Sequence, residues 1–162
     1  MRRVTTLAFA VFTVAATAFG ASGTFPRMSA ERSVIESDPL KITARLPVGW
    51  SVEEGRVVPP VALRSDCQVH REMVHDDWNR SLAAVMRDSA PTWRELMKIG
   101  GHVAVEYRTT VGSRTTTSVY INLEEIQPAT FAVWSVETDN TDAGLQCQHE
   151  FSAFVDGVKI DK

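Results

Sequence analysis

The chain lacks any block of basic residues. Across its 162 residues, 17 Lys and Arg stand against 20 Asp and Glu, for a formal net charge of −3. Arg2 and Arg3 belong to a predicted leader, and without them the balance becomes 15 basic against 20 acidic residues, a net charge of −5. Nucleic acids and anionic membrane surfaces are bound chiefly through clustered Lys and Arg. The composition therefore disfavours both classes of partner.

Cysteine is almost absent from the chain. Cys67 and Cys147 are the only two, and no cysteine lies near the predicted leader, which disfavours a lipid-anchored lipoprotein. In an oxidising compartment a single pair of cysteines is by default a disulfide, and one is predicted here. Two alternatives stay open, a pair of buried free thiols and a catalytic cysteine. The second alternative lacks a histidine at any recognisable spacing from either cysteine.

Sequence motifs of known chemistry are missing as well. The chain has no G-x-S-x-G sequence and no glycine-rich loop between a strand and a helix, so neither a nucleophile elbow nor a phosphate-binding loop is predicted. His70 and His75 are five positions apart, which in a strand places them on opposite faces and disfavours a shared metal ion. The acidic pairs at residues 53–54 and 124–125 are interpreted as ordinary turn residues. No catalytic residue, metal or cofactor is predicted.

The first residues have the layout of a secretory signal peptide. A positive start over residues 1–3 is followed by an apolar run over residues 4–19 and by small residues up to Gly23. The run is shorter than the ~20 residues that a membrane-spanning helix needs, so an uncleaved anchor is the less favoured alternative. We expect cleavage between Ala18 and Gly23, release into the periplasm or the medium, and no stable membrane insertion afterwards.

Three regions are predicted along the chain. Residues 1–23 are the signal peptide. Residues 24–40 mix Pro, Ser and charged residues with few apolar ones, and they are predicted to be a flexible segment, with a short helix over residues 29–35 as an alternative. A single folded domain is predicted to occupy residues 41–162, because about 120 residues are enough for one core.

Residues 102–140 alternate apolar and polar side chains and contain many β-branched residues, which predicts three consecutive strands of an antiparallel meander. In the first hairpin, a two-residue turn competes with a three-residue connection at residues 112–114, which places Val105 opposite Ile121. The apolar pattern favours the three-residue connection, because a slip of one residue moves every side chain to the other face. The third strand is apolar on both faces, which indicates cover on both sides and places Trp134 in the core.

Helical spacing appears on either side of this meander. Asp76 or Asp77 is a suitable N-cap for a first helix with Trp78 on its apolar face. Pro91 interrupts that helix, and helical spacing resumes over residues 92–99 until two glycines stop it. A final helix begins near Thr141 and directs one face inward, formed by Cys147, Phe151, Phe154 and Val155.

The stretch from Leu46 to Val52, with its Pro-Val-Gly-Trp turn, precedes further strands, a helix, the meander and a closing helix that carries Phe151. This order resembles the PsbP/Mog1-like domains over residues 41–160. The resemblance implies an α+β fold, in which a central antiparallel sheet of about six strands has helices on both faces, an α/β/α sandwich. Members of that family have diverse roles, and they mostly bind or scaffold other molecules.

The sequence favours an exported, non-enzymatic binding or assembly-accessory protein. Loops carry recognition because their side chains are free of core packing. Three places are predicted to contact an unknown protein or small ligand: Gly112, Ser113 and Arg114 at the hairpin tip, the pair Pro59 and Pro60, and Pro91 with Trp93. The threonine-rich end of the same hairpin is an alternative site for carbohydrate. The alternative function is a small secreted hydrolase or thiol enzyme, with a site assembled from residues distant in sequence.

Overall fold

The structure is a computed structural model that describes residues 25–37 and 40–161, apart from the side chain of Trp93. The predicted signal peptide lies outside the described residues. Of the described residues, 51% are in strands and 22% are helical. The helices are α1 (Trp78–Ser89) and α2 (Asp142–Asp156). The strands are β1 (Met28–Glu36), β2 (Lys41–Pro47), β3 (Ser51–Glu53), β4 (Arg56–Val58), β5 (Cys67–His75), β6 (Trp93–Ile99), β7 (His102–Val111), β8 (Arg114–Asn122), β9 (Thr130–Asp139) and β10 (Lys159–Asp161).

A five-stranded antiparallel sheet organises the molecule, in the order β5-β9-β8-β7-β6. Its three inner strands follow one another in the chain, so the predicted meander is confirmed. Strands β5 and β6 form the two edges of the sheet. The segment between β5 and β6, which contains α1, thus connects the two edge strands of the sheet.

The predicted register of the first hairpin is wrong. Strands β7 and β8 are joined by a two-residue turn, with Val111 opposite Arg114 and Val105 opposite Tyr120. Gly112, the first residue of the turn, has a φ of 62°, as the tight type II′ turn requires. Both faces of the sheet are covered, so neither register leaves a row of apolar side chains in water. The geometry of the turn therefore decides the register, and the apolar pattern does not.

The predicted second helical stretch over residues 92–99 is also wrong, because Trp93–Ile99 forms β6 and pairs with β7. Gly100 and Gly101 have φ values of 57° and 90° and join these two strands. Two successive positive φ values are those of a type I′ hairpin turn, for which Gly-Gly is a preferred sequence. Two glycines stop a helix as well as they turn a hairpin, so this signal was assigned to the wrong structure.

Two smaller sheets lie beside the large one. Strands β1, β2 and β10 form one in the order β1-β2-β10, and β3 with β4 forms a two-stranded hairpin. Strand β1 falls in the segment that was predicted to be flexible, or to contain a short helix over residues 29–35, and it corrects both predictions. Its Ile35 is only 4% exposed and belongs to the main core. The packed unit therefore begins before residue 41.

The predicted α/β/α sandwich is wrong. Three separate sheets and two α-helices make up the described residues, instead of one sheet of six strands between helical layers. Helix α2 packs across β9 and β2, and its inward face carries the predicted residues, all of them buried. Strands β1, β2 and β10 complete the cover of that face of the large sheet. The apolar residues on both faces of β9 had predicted a helical layer on each side of the sheet. On this face, strands form much of that layer instead.

The opposite face of the large sheet carries a smaller apolar cluster. Helix α1 begins after Asp77, whose side chain accepts the N–H of Arg80, so the predicted cap is confirmed. Trp78 packs edge-on against Phe131 of β9, with ring centroids 5.8 Å apart. Because α1 contacts the sheet through a few side chains, this second cluster is small beside the main core.

Candidate functional site

Strand β5 presents one charged side chain on its inward face. Cys67, Val69, Arg71 and Met73 alternate along the strand, and side chains two positions apart share a face of a sheet. This face contacts the main core. Arg71 therefore lies between two apolar residues of the same face, Val69 and Met73, directly opposite Trp134 of β9.

The contacts of Arg71 hold its guanidinium group in place. Its Nη2 donates to Oε2 of Glu36, at the end of β1, over 2.5 Å. The guanidinium carbon lies 5.8 Å from the centre of the Trp134 ring, within the range of a cation–π contact. The Arg71 and Glu36 side chains are 19% and 25% exposed. This ion pair is therefore partly desolvated, which strengthens it relative to a surface pair.

Two donors at this site have no acceptor in the described part of the chain. Within the described residues, Nη1 of Arg71 and Nε1 of Trp134 are buried and make no hydrogen bond. The Trp134 side chain is completely inaccessible, at 0% exposure. Most buried polar atoms in proteins have a partner, and an unsatisfied one costs about 1–3 kcal/mol. Neither group has a lone pair that accepts hydrogen bonds under ordinary conditions, so each requires an acceptor atom.

These two residues line a cavity of about 430 Å³. Residues 54–57 of the β3–β4 hairpin form one side of the cavity, and Val69, His70, Arg71 and Trp134 form the other. Strand β4 lies beside β5 but belongs to a different sheet. The volume is within the range of small-molecule sites, which is roughly 300–1,000 Å³.

The main chain of β5 also faces this side of the molecule. The N–H of Asp139 donates to the C=O of Asp66 over 3.3 Å, and hydrogen-bonded residue pairs alternate along an antiparallel ladder. In the same register, every second residue of β5 bonds to β9, starting from Asp66. Val69 and Arg71 are in the other set, so their N–H and C=O groups point away from β9 and toward the outer edge of the sheet.

The charges around the cavity balance. Arg56 and Arg71 carry positive charges, and Glu36 and Glu54 carry negative charges. His70 adds a titratable ring at the lining. The site therefore offers directed donors without a strong net positive field.

A larger cleft, of about 750 Å³, lies between residues 25–27 and the outer face of α2. Its lining includes Glu150, whose Oε2 already accepts the indole N–H of Trp50 over 2.7 Å. Of the three buried side-chain atoms that lack a partner in the described residues, none belongs to the lining of this cleft. Size alone favours the larger cleft, but the chemistry favours the smaller cavity.

The predicted hairpin tip is exposed. Gly112 and Ser113 form the turn, and the C=O of Ser113 accepts the N–H of Asn140 over 2.8 Å. Arg114 begins β8 and forms ion pairs with Glu137 at 3.8 Å and with Asp139 at 3.4 Å. These contacts fix the tip against the end of β9, and none of the three predicted residues lines the 430 Å³ cavity.

The two proline-containing sites differ from each other. Pro59 is buried, and its C=O accepts from Nε of Arg64 over 3.0 Å, so it has a structural contact. Pro60 is half-buried and precedes a short 3-10 helix, Val61–Leu63. Pro91 is half-buried between α1 and β6. The prediction for the Trp93 side chain lies outside the described part of the structure.

Cys67 and Cys147 form a disulfide, so that prediction is confirmed. It joins β5 to α2, and both cysteines are buried. In the described part of the chain, no three His, Cys, Asp or Glu side chains come together as a set for a metal ion. His75 has its Nδ1 3.1 Å from the hydroxyl of Thr130.

Sequence reasoning placed Trp134 in the core but did not single out Arg71 or Glu36. One signal was available: Arg71 interrupts the apolar positions of a strand that begins with a buried cysteine. A charged residue at such a position is almost always paired or functional. The contact with Glu36 could not be found in this way, because β1 had not been recognised as a strand.

The chain matches no protein-family model, and no curated protein matches it. The resemblance to PsbP/Mog1-like domains therefore stays a prediction. Among the helices that the structure describes, none has the length and apolarity to cross a membrane.

Proposed function

We propose that this chain is an exported, non-enzymatic binding domain and that the cavity between β4 and β5 is its binding site. One observation carries the proposal: Arg71 Nη1 and Trp134 Nε1 are two buried donors without an acceptor among the residues that the structure describes, and their residues line the same cavity. A ligand with an acceptor oxygen would satisfy both groups. The binding would offset the desolvation cost of two buried donors that lack a protein acceptor.

The chemistry of these two residues favours binding over catalysis. An arginine keeps its proton at every ordinary pH, and an indole neither gains nor loses one, so neither acts as a general acid or base. The alternative of a thiol enzyme lacks its nucleophile, because both cysteines of the chain are in the disulfide. Holding a molecule is the role that this geometry supports best, and it is consistent with an assembly-accessory protein.

Export is supported by two features. The disulfide is compatible with an oxidising compartment outside the cytoplasm. The first 23 residues have the composition of a cleavable leader. We propose a periplasmic or secreted location. N-terminal sequencing of the exported protein should give a start between Ala18 and Gly23, and a start at Met1 would contradict export by cleavage.

The binding site is tested through the indole N–H of Trp134 in nitrogen-15 NMR spectra. The signal is assigned by elimination with the variants Trp50→Phe, Trp78→Phe and Trp93→Phe, which leave Trp134 intact. We expect acetate, propionate or inorganic phosphate to shift this signal with saturation. Arg71→Lys should weaken the affinity for the anion, read from the saturation of this shift, at least about tenfold. The loss of a charge-assisted hydrogen bond has roughly that effect on affinity.

Arg80→Lys is the matched control, since it makes the same exchange on the exposed surface of α1. If none of the three anions moves the Trp134 signal, the proposed site is wrong. The non-enzymatic assignment has a separate test, in which the folded protein is assayed for hydrolysis of ester and amide substrates. A turnover that disappears in His70→Ala or His75→Ala would favour the hydrolase alternative.

A further inference from the structure

Strand β6 is the other edge of the large sheet, and its outer side is open. Among the described residues, only β7 runs along β6. Strand β10 comes close at Gly100, beyond the end of β6. Arg94, Leu96 and Lys98 are exposed. An edge strand in this position presents a row of main-chain groups that another strand can pair with.

The register of β6 fixes the direction of these main-chain groups. Ile99 and His102 flank the two-residue turn to β7, and the pair next to such a turn is hydrogen-bonded. Hydrogen-bonded pairs alternate, so Arg94, Leu96 and Lys98 direct their N–H and C=O groups away from β7. The β7–β8 hairpin agrees, because its odd-numbered β7 residues bond to β8 and leave the even-numbered ones for β6.

An apolar groove of about 460 Å³ lies beside this edge, between α1 and β6. Its lining includes Leu82 and Met86 of α1, Val105 of β7 and Leu96 of β6. Leu96 is 73% exposed, Met86 is 39% exposed, and Val103 on the same face of β7 is 45% exposed. Exposed apolar side chains grouped in this way are typical of interaction sites.

The charged side chains of β6 on the groove side have one sign. Leu96 lies opposite Val105, so residues 94, 96 and 98 share the face directed toward α1. Arg94 and Lys98 flank Leu96 there, and neither forms an ion pair with a described residue. Glu95 also borders the groove, but alternation directs its side chain to the other face. An added strand would therefore meet two positive charges around an apolar position.

These charges disfavour a second copy of the same strand as the occupant. If two copies of β6 paired with Leu96 opposite Leu96, Arg94 of one copy would lie opposite Lys98 of the other. Like charges in directly opposite positions are destabilising, and charged residues on an edge are a common device against self-association. A strand with acidic residues at the matching positions would be attracted instead.

We propose that β6 binds an extended segment of a partner protein in which an apolar residue has Asp or Glu two positions before and two positions after it. The main chain of the segment pairs with the outward N–H and C=O groups of β6. Its acidic side chains lie opposite Arg94 and Lys98, and its apolar side chain packs beside Leu96 at the groove. None of these residues lines the β4–β5 cavity, so the inference goes beyond the proposed function and does not depend on it.

The test uses two acetylated and amidated heptapeptides, Thr-Glu-Thr-Val-Thr-Glu-Thr and the same sequence with lysine in place of glutamate. Each sequence reads the same in either direction, so parallel and antiparallel addition are tested together. In NMR spectra of the oxidised protein, the acidic peptide should shift the amides of Arg94, Leu96 and Lys98 more than those of Glu95 and Met97. The lysine peptide should bind at least about tenfold more weakly, because two attractive cross-strand pairs become repulsive.

Charge reversal on β6 should reverse this preference. The double variant Arg94→Glu/Lys98→Glu changes two exposed side chains, and it should bind the lysine peptide more tightly than the acidic one. Lys41→Glu/Arg45→Glu is the matched control, since it makes the same change of charge at exposed positions of β2, outside the groove lining. At about 0.15 M salt, where distant charges are screened, this control should keep the wild-type preference.

Three results would overturn the proposal. If neither peptide moves the amides of Arg94, Leu96 and Lys98 at millimolar concentrations, the edge does not accept a strand. If the two peptides bind equally well, charge does not select the partner and the acidic segment is wrong. If the protein alone sediments as a dimer in which these amides are already protected from hydrogen exchange, the occupant is a second copy.

Discussion

Arg71 and Glu106 are charged residues on the same, core-facing side of the large sheet. Arg71 lies in the edge strand β5, and Glu106 lies in β7 opposite Val119. The Glu106 side chain is 8% exposed, and its Oε1 is 3.3 Å from Nη2 of Arg108. Such residues are costly to bury unless their partners compensate the lost hydration.

The Glu106 carboxyl gives a prediction at the residue scale. Burial raises its pKa, and the charges of Glu95 and Asp156 raise it further, while the ion pair with Arg108 acts in the opposite direction. The folded protein therefore holds this proton more tightly than the unfolded chain does. As the pH rises above the ordinary glutamate pKa of about 4.3, the unfolded chain loses its proton first, and this group makes folding less favourable until the raised pKa is passed.

Glu106→Gln should remove this contribution. The stability of the variant relative to the wild type should increase as the pH rises through that window, as measured by the midpoint of urea denaturation between about pH 4 and 7. Glu125→Gln, at an exposed glutamate in a turn, is the control and should run parallel to the wild type. A Glu106→Gln curve that also runs parallel to the wild type would contradict the assignment.

At the scale of elements, two-residue turns set the pairing of three hairpins. They lie between β3 and β4, between β6 and β7, and between β7 and β8. The first of these turns has positive φ values at both positions, 51° at Glu54 and 75° at Gly55. Glu54 is therefore in the left-handed region, which costs a residue other than glycine or asparagine roughly 1–2 kcal/mol.

Glu54→Asn should stabilise the protein by about 1 kcal/mol, because Asn-Gly is the preferred sequence of this turn type. The urea midpoint should rise with an unchanged slope. Ser113→Asn is the matched control, since Ser113 occupies the second position of a turn in which Gly112 alone has a positive φ. A gain in both variants would mean that the backbone of Glu54 is not the cause.

At the scale of the whole molecule, the disulfide joins the edge strand of the large sheet to the helix that covers it. Cys67 and Cys147 have Cα atoms 5.9 Å apart and are separated by 80 positions in the chain. A link over so long a loop removes many conformations from the unfolded chain, which is the main way in which disulfides stabilise proteins. It also holds α2 against the first residue of β5, the strand that carries Arg71.

The double variant Cys67→Ala/Cys147→Ala should lose about 2–5 kcal/mol of unfolding free energy. The reduced wild type should show a similar loss, and the oxidised wild type before reduction should have no free thiol when titrated in denaturant. If reduction leaves the urea midpoint unchanged, the link does not constrain the unfolded chain as argued.

Local physical chemistry determined several features from the sequence alone. The meander follows from period-two alternation of β-branched residues. The starts of α1 and α2 follow from Asp77 and Thr141, whose side chains accept main-chain N–H groups within the same turn. A disulfide was the default expectation for two cysteines in an oxidising compartment, and a chain with two cysteines offers a single pairing for it.

Tertiary structure decided the rest, because those features depend on residues far apart in the chain. Residues 93–99 have a spacing that fits a helix, and only the neighbouring β7 makes them a strand. The candidate site combines Glu36, Arg71 and Trp134 from three strands, and none of the loops predicted for recognition lines it. A local pattern reports which face of an element is apolar, but it carries no information on which distant side chain will lie opposite. The two unpartnered donors could therefore be recognised only once β1, β5 and β9 had been brought together.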